Sequence, residues 1–192
     1  TGFAALVVSN GGGATRNEFV ERLSAKRFVA SGGRFRNNVG GPVEDKIEFL
    51  SNYKFGIAFE NSSYPGYCTE KLLDAFEAGT IPVYWGDPLV DSDFNPHAFV
   101  NCHDFPSHAA VVQRLIELDE DPEQYQTMLA EPWFTNGTPP AFADRSRLSA
   151  WLRQRIVADR VPISSRRASP RREMRRLIDS ARTRRRFRNR LT

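Results

Sequence analysis

"FGIAFENSSYPGYCTEKLLDAFEAGTIPVYWG", Phe55 to Gly86, decides how the rest of this chain is read. It opens on one apolar run, Phe55–Glu60, and closes on another, Ile81–Trp85. Both have the length of a strand covered on both faces. Between them Leu72, Leu73 and Phe76 recur at helical spacing over Thr69–Ala78, and Gly79 follows where a helix end favours glycine. Strand, helix, strand in that order is a βαβ unit, which makes its two strands parallel. A polar turn containing Gly66 joins the first strand to the helix.

The same alternation runs outward in both directions. Further strands are predicted at Phe3–Ser9, Arg27–Ser31 and Phe99–His103. Further helices are predicted at Thr15–Ala25, with Phe19, Val20 and Leu23 on one face, and at Pro42–Asn52, with proline in its first turn. Others follow at Ser107–Leu118 behind a serine cap, at Pro122–Ala130 and at Arg145–Ala158. No internal repeat or heptad pattern interrupts the series. The expected fold is therefore α/β, a Rossmann-like parallel sheet with helices on both faces. Sheets of this kind bind ligands beyond the carboxyl ends of their strands. Two polar turns sit at such ends, Ser9–Arg16 and Glu60–Lys71.

Composition bounds the function. The chain has 192 residues, enough for one sizeable core with an appendage. No apolar run approaches the roughly 20 residues that span a bilayer. The start shows neither a signal-peptide pattern nor an initiator methionine, so a fragment is expected. Cys68 and Cys102 form no metal-ligand spacing and no disulfide framework, which favours a reducing compartment. The net charge of +4 is the sum of two unlike regions: residues 160–192 carry 13 arginines against Glu173 and Asp179, and residues 1–159 are net acidic. Two domains follow, a body over 1–159 and a basic segment over 160–192. Pro162, Pro170 and three serines make the start of that segment a linker. Beyond it Met174, Leu177, Ile178 and Ala181 fall on one helical face among arginines. Such a pattern suits an anionic membrane surface, or a solvated tail. Nucleic acid is disfavoured: Phe187 alone interleaves the arginines as an aromatic, and the acidic body repels phosphates.

The turn before Thr69 leads into a helix N-terminus, which exposes unpaired N–H groups and partial positive charge. It is a ready phosphate site, to which Lys71 adds a cation and Tyr67 a phenolic donor. Glu70 and Asn61 accept hydrogen bonds from hydroxyls such as those of ribose or a sugar. Glu70 can also face developing positive charge. Arg16 opens a helix after the glycines of "SNGGGAT" and can grip phosphate through its guanidinium. Together these groups suit a nucleotide diphosphate carrying a sugar. Taken singly, each has a plain structural reading: a packed tyrosine, a capping acid, a solvated lysine or arginine, an asparagine that stabilises its own turn. His97, His103 and His108 show no ligand spacing, and Asp87, Asp91, Asp93 and Asp104 read as loop and strand-end acids, so no metal site is assigned. Trp85, Trp133 and Trp151 read as packing residues.

The segment from Tyr53 to Phe105, with its "FEN…GY.TEK…A…G.IPVYWG" pattern, resembles the signature region of the α-1,3/4-fucosyltransferases. "VVSN…R..F...L" over Val7–Leu23 and "GGRFRNNVGG" over Gly32–Gly41 resemble the same family at consistent spacing. The likeness covers about residues 3–130. It implies the C-terminal half of a two-domain GT-B glycosyltransferase, the half that binds GDP-fucose. By the resemblance, Arg16 and Lys71 hold the diphosphate and Tyr67 hydrogen-bonds it. Asn61 and Glu70 contact ribose or fucose, and Glu70 steadies an oxocarbenium-like transition state. No cofactor is required; a divalent cation stays open but is not indicated.

The family transfers fucose with inversion to a GlcNAc or glucose hydroxyl of a glycan acceptor. Its acceptor-binding half, with the carboxylate proposed as general base, lies N-terminal to the matched region. The chain is thus expected to be the donor-binding half, inactive alone. Two other classes stay open, a nucleotide-sugar binding module without transfer and a membrane-surface interaction protein acting through its tail. The basic tail places the protein on the cytoplasmic face of a membrane in a bacterium, the favoured source, or at the Golgi membrane in a eukaryote.

Overall fold

The computed structural model, which describes residues 1–140 and 145–158, carries five strands. They are β1 (Gly2–Leu6), β2 (Val29–Ser31), β3 (Tyr53–Phe59), β4 (Ile81–Trp85) and β5 (Val100–Asn101). All pair in parallel, in the order β2-β1-β3-β4-β5. One row of the register runs Val29, Ala4, Phe55, Ile81 across four strands. The connecting helices are α1 (Ala14–Ser24), α2 (Lys46–Leu50), α3 (Glu70–Glu77), α4 (His108–Glu120) and α5 (Pro122–Ala130). These elements belong to a first compact unit, Thr1–Ala141. A last helix, α6 (Arg145–Ala158), belongs to the second unit and keeps its expected bounds. The linker and arginine-rich segment read from residues 160–192 lie outside the described residues.

Strand pleating divides the core by side-chain size. Leu6, Phe55, Ile57, Phe59, Ile81 and Val83 face one side, where they meet Phe19 and Leu23 of α1 and Leu115 and Leu118 of α4. Ala5, Ala30 and Ala58 face the other side, where Leu50 of α2 and Leu72 and Phe76 of α3 cover them. The α1–α4 face is thus built mainly from large strand residues, with Ala4 among them, and the α2–α3 face mainly from small ones, with Tyr84 and Tyr53 as the large exceptions. Phe59 is fully buried and stacks on Phe19 at 4.8 Å, so truncating it to alanine costs about 3–5 kcal/mol.

For two elements whose observed bounds depart from the sequence pattern, a side chain explains the shift. α2 begins at Lys46 and not at Pro42, because the Asp45 side chain accepts from the Glu48 N–H at 2.9 Å and starts the helix there. β5 covers only Val100–Asn101. The Asn101 side chain accepts from the His103 N–H and turns the chain into a 3₁₀ turn, Cys102–Asp104. β1 ends at Leu6, three residues short of Ser9, and β3 begins two residues early at Tyr53. α3 stops as its glycine predicts. Gly79 takes φ +68°, and the N–H groups of Gly79 and Thr80 bond to the carbonyls of Phe76 and Ala75, a Schellman end.

Candidate nucleotide-sugar site

The sheet winds outward in one direction from β1 to β2 and in the other from β1 to β3. The connections leaving the carboxyl ends of β1 and β3 therefore diverge and open a crevice between them. The two turns singled out in the sequence are the two walls of that crevice.

Arg16, in the first turn of α1, is 1% exposed. Its Nη2 donates to the Asn10 carbonyl at 2.6 Å and to Asn17 Oδ1 at 3.4 Å. Its Nη1 donates to Asn61 Oδ1 at 3.3 Å, across the crevice from the turn after β3. Nε has no partner, the one such buried side-chain polar atom among the described residues. A Cβ on Gly13 would lie 2.9 Å from the Arg16 Cζ, so glycine lets that loop close over the guanidinium. No carboxylate pairs with Arg16 among the described residues. Burial lowers its pKa from the ordinary value by disfavouring the charged form, yet an arginine stays charged at neutral pH.

Lys71, in the first turn of α3, is held differently. Its Nζ donates to Glu60 Oε2 at 2.6 Å and to Thr69 Oγ1 at 2.8 Å. Glu60 is fully buried, and its Oε1 also accepts from the N–H and hydroxyl of Thr69 at 2.8 and 2.7 Å. Glu60 was not among the expected site residues. Its signal is strand parity: Phe55, Ile57 and Phe59 face α1 and α4, so Gly56, Ala58 and Glu60 face α3. An acid ending an apolar strand on the side of a first-turn lysine is the pattern to look for. Adjacent residues thus hold the two cations, Glu60 binding Lys71 and Asn61 binding Arg16.

Glu70 lies next to this pair, 4.0 Å from the Lys71 Nζ, with its side chain 66% exposed. A hydrogen bond from its own backbone N–H holds its carboxyl below the usual value, with Lys71 and Lys46 adding to the effect. Tyr67 stacks on the exposed Tyr64, ring centroids 4.7 Å apart. The Tyr84 hydroxyl donates to the Tyr67 carbonyl at 3.4 Å and accepts from the Asp87 N–H at 2.9 Å, tying the turn after β3 to that after β4. Burial pushes the Cys68 thiol and the Tyr84 phenol up. The structure therefore brings Arg16 to Asn61 and Lys71 to Glu70 and sets Tyr67 in the same turn.

The remaining polar residues stand apart. His103 stacks on Trp85, His108 packs edge-on against Phe19, and Trp133 stacks on Phe76. Among the described residues no three His, Cys, Asp or Glu side chains gather to hold a metal ion. A cavity of about 390 Å³ opens between α1 and β2, lined by Leu6, Val20, Val29, Phe35, Asn17 and Asn38.

The family described as glycosyltransferase family 10 (fucosyltransferase) C-term matches residues 1–136, which include every residue of this crevice. The chain belongs to glycosyltransferase family 10. Within that family it is 45% identical over 130 residues to an alpha-(1,3)-fucosyltransferase of Helicobacter pylori, a match covering 68% of this chain and 27% of the relative. It is 37% identical over 129 residues to a human 4-galactosyl-N-acetylglucosaminide 3-alpha-L-fucosyltransferase, covering 65% of this chain and 35% of the relative. A crystal structure of an alpha1,3-fucosyltransferase with GDP-fucose superposes with a TM-score of 0.72 at 38% identity, over 80% of this chain and 46% of that one. The matched region thus spans a quarter to a half of the relatives' lengths. Its sheet is that of the C-terminal, Rossmann-like half of a GT-B glycosyltransferase.

Proposed function

We propose that the crevice between the β1 and β3 ends binds GDP-fucose, and that the protein transfers its fucose, with inversion, to a GlcNAc or glucose hydroxyl of a glycan. One observation carries this reading: Glu60 and Asn61, neighbours at the end of β3, gather two cations from the N-termini of two helices. Two cations and two helix N-termini converging on one crevice are the electrostatics that a diphosphate requires. Arg16 supplies a charge that no carboxylate among the described residues offsets, and Lys71 supplies a directed N–H. Tyr67 donates to the diphosphate from its phenol. Asn61 and the exposed Glu70 accept from ribose or fucose hydroxyls. Glu70, held anionic, also stabilises positive charge as the fucosyl bond breaks. Proton removal from the acceptor calls for a further base, which these donor-side groups do not supply. The linkage, 1,3 or 1,4, follows from how the acceptor is presented.

Calorimetry tests the donor. GDP and GDP-fucose are expected to bind more tightly than UDP and a UDP-sugar. Equal binding of all four, or none, by the folded chain would overturn the reading.

We also infer that residues 160–192 draw the protein to an anionic membrane surface, the cytoplasmic face in a bacterium. The support is their 13 arginines against two acids. Residues 1–192 are expected to co-sediment with phosphatidylserine vesicles at low salt and to be released at high salt. Equal sedimentation by residues 1–159 would remove the tail from this role.

A further inference from the structure

Lys71 is fixed in place by the protein itself. Its ammonium has three N–H groups. One donates to Glu60 Oε2 and a second to Thr69 Oγ1. The Thr69 hydroxyl accepts that bond and passes its own hydrogen to Glu60 Oε1. The three side chains therefore close a ring between the end of β3 and the first turn of α3. The third Lys71 N–H finds no hydrogen-bond partner among the described residues. Glu70 Oε1 stands 4.0 Å from the ammonium, beyond hydrogen-bond distance, and the Lys71 side chain keeps 20% of its surface exposed while Glu60 has none.

Two further features define this ring, in which Glu60 Oε1 also accepts the Thr69 backbone N–H at 2.8 Å. Thr69 occupies the N-cap position of α3, yet its hydroxyl makes no capping bond and turns to Glu60. The room for a buried carboxylate is also built in: a Cβ on Gly86 would lie 2.5 Å from the Glu60 Cγ.

We propose that Glu60 and Thr69 are positioning residues, which fix Lys71 so that a single N–H points out of the ring toward the donor diphosphate. This rests on the donor-binding reading above. A free lysine gives up rotamer freedom on docking. Here folding has already set the rotamer, so the phosphate meets a preorganised donor. Glu60 also offsets the Lys71 charge. Lys71 therefore contributes a directional contact, and the long-range field comes from Arg16.

The competing expectation has the opposite sign. If Glu60 merely competed with phosphate for Lys71, removing its charge would tighten GDP binding. Glu60→Gln, Thr69→Val and Thr69→Ser decide between them, with GDP affinity by calorimetry and the Lys71 ammonium followed by ¹⁵N NMR in the ligand-free chain. Glu60→Gln and Thr69→Val are expected to bind GDP about tenfold more weakly, the loss of one charge-assisted bond. Both should lose the distinct, slowly exchanging Lys71 ammonium signal, and Thr69→Ser should keep signal and affinity together. A merely structural role would not make affinity track that signal. If Glu60→Gln does not fold, the Thr69→Val and Thr69→Ser pair carries the test. Variants that bind GDP as tightly as the parent, or more tightly, overturn the positioning role alone. A parent chain that does not bind GDP overturns the donor reading, and the positioning role falls with it.

Discussion

The turn after β1 and the turn after β3 each bring one cation to the same crevice, by opposite means. Arg16 is buried among carbonyl and amide oxygens, with no counter-charge among the described residues and one unpaired N–H. Lys71 is partly exposed and matched to a buried carboxylate. The first arrangement sustains an electrostatic field at the expense of desolvating a charge; the second gives up the field and gains a fixed direction. Stability should depend mainly on the Lys71 side and long-range attraction mainly on the Arg16 side.

The largest expected effect is on stability. Lys71→Met leaves Glu60 buried without its cation, and breaking such a pair costs about 3 kcal/mol. Arg16→Met removes a buried charge that has hydrogen-bond partners but no counter-charge among the described residues, and should cost clearly less. Urea titration of both variants compares them directly, and the double variant Glu60→Gln/Lys71→Met should recover most of the loss. Equal destabilisation by the two single variants would erase the contrast.

The next effect is on binding. Arg16→Met is expected to weaken GDP about 10- to 100-fold while leaving the fold intact. It should also flatten the dependence of GDP affinity on salt, since it removes the uncompensated charge. The Glu60→Gln/Lys71→Met pair keeps the net charge and should leave that slope nearly unchanged. Calorimetry from low to high salt reads both.

The smallest effect concerns Glu70. Its folded pKa lies below the ordinary 4.5, so the stability it contributes is present above that value and is lost as pH falls through the depressed one. Parent and Glu70→Gln should differ slightly in thermal midpoint at neutral pH and converge in acid. A gap that widens as pH falls would reverse the assignment.

Much of this was legible in the sequence for a physical reason. Buried parallel runs such as Phe55–Phe59 and Ile81–Trp85 must be apolar, and a Schellman end needs a residue such as Gly79, so pattern and structure coincide there. The partnerships were not legible. The bond from Arg16 to Asn61 spans 45 residues and depends on strand order, which periodicity does not encode. Glu60 looked like the polar end of a strand, and only its pleat face marks it as the partner of Lys71. The late start of α2 turned on the Asp45 cap, a single side-chain bond that outweighed the proline at Pro42.

Both cations are proposed to act on one guanine nucleotide at the β1/β3 crevice. Backbone amide NMR during titration of the parent chain with GDP tests it most directly. The largest shifts are expected over Gly11–Arg16 and Asn61–Lys71 together, at a common half-saturating concentration. Shifts confined to the cavity lined by Val20, Val29 and Phe35, with both turns unmoved, would contradict it.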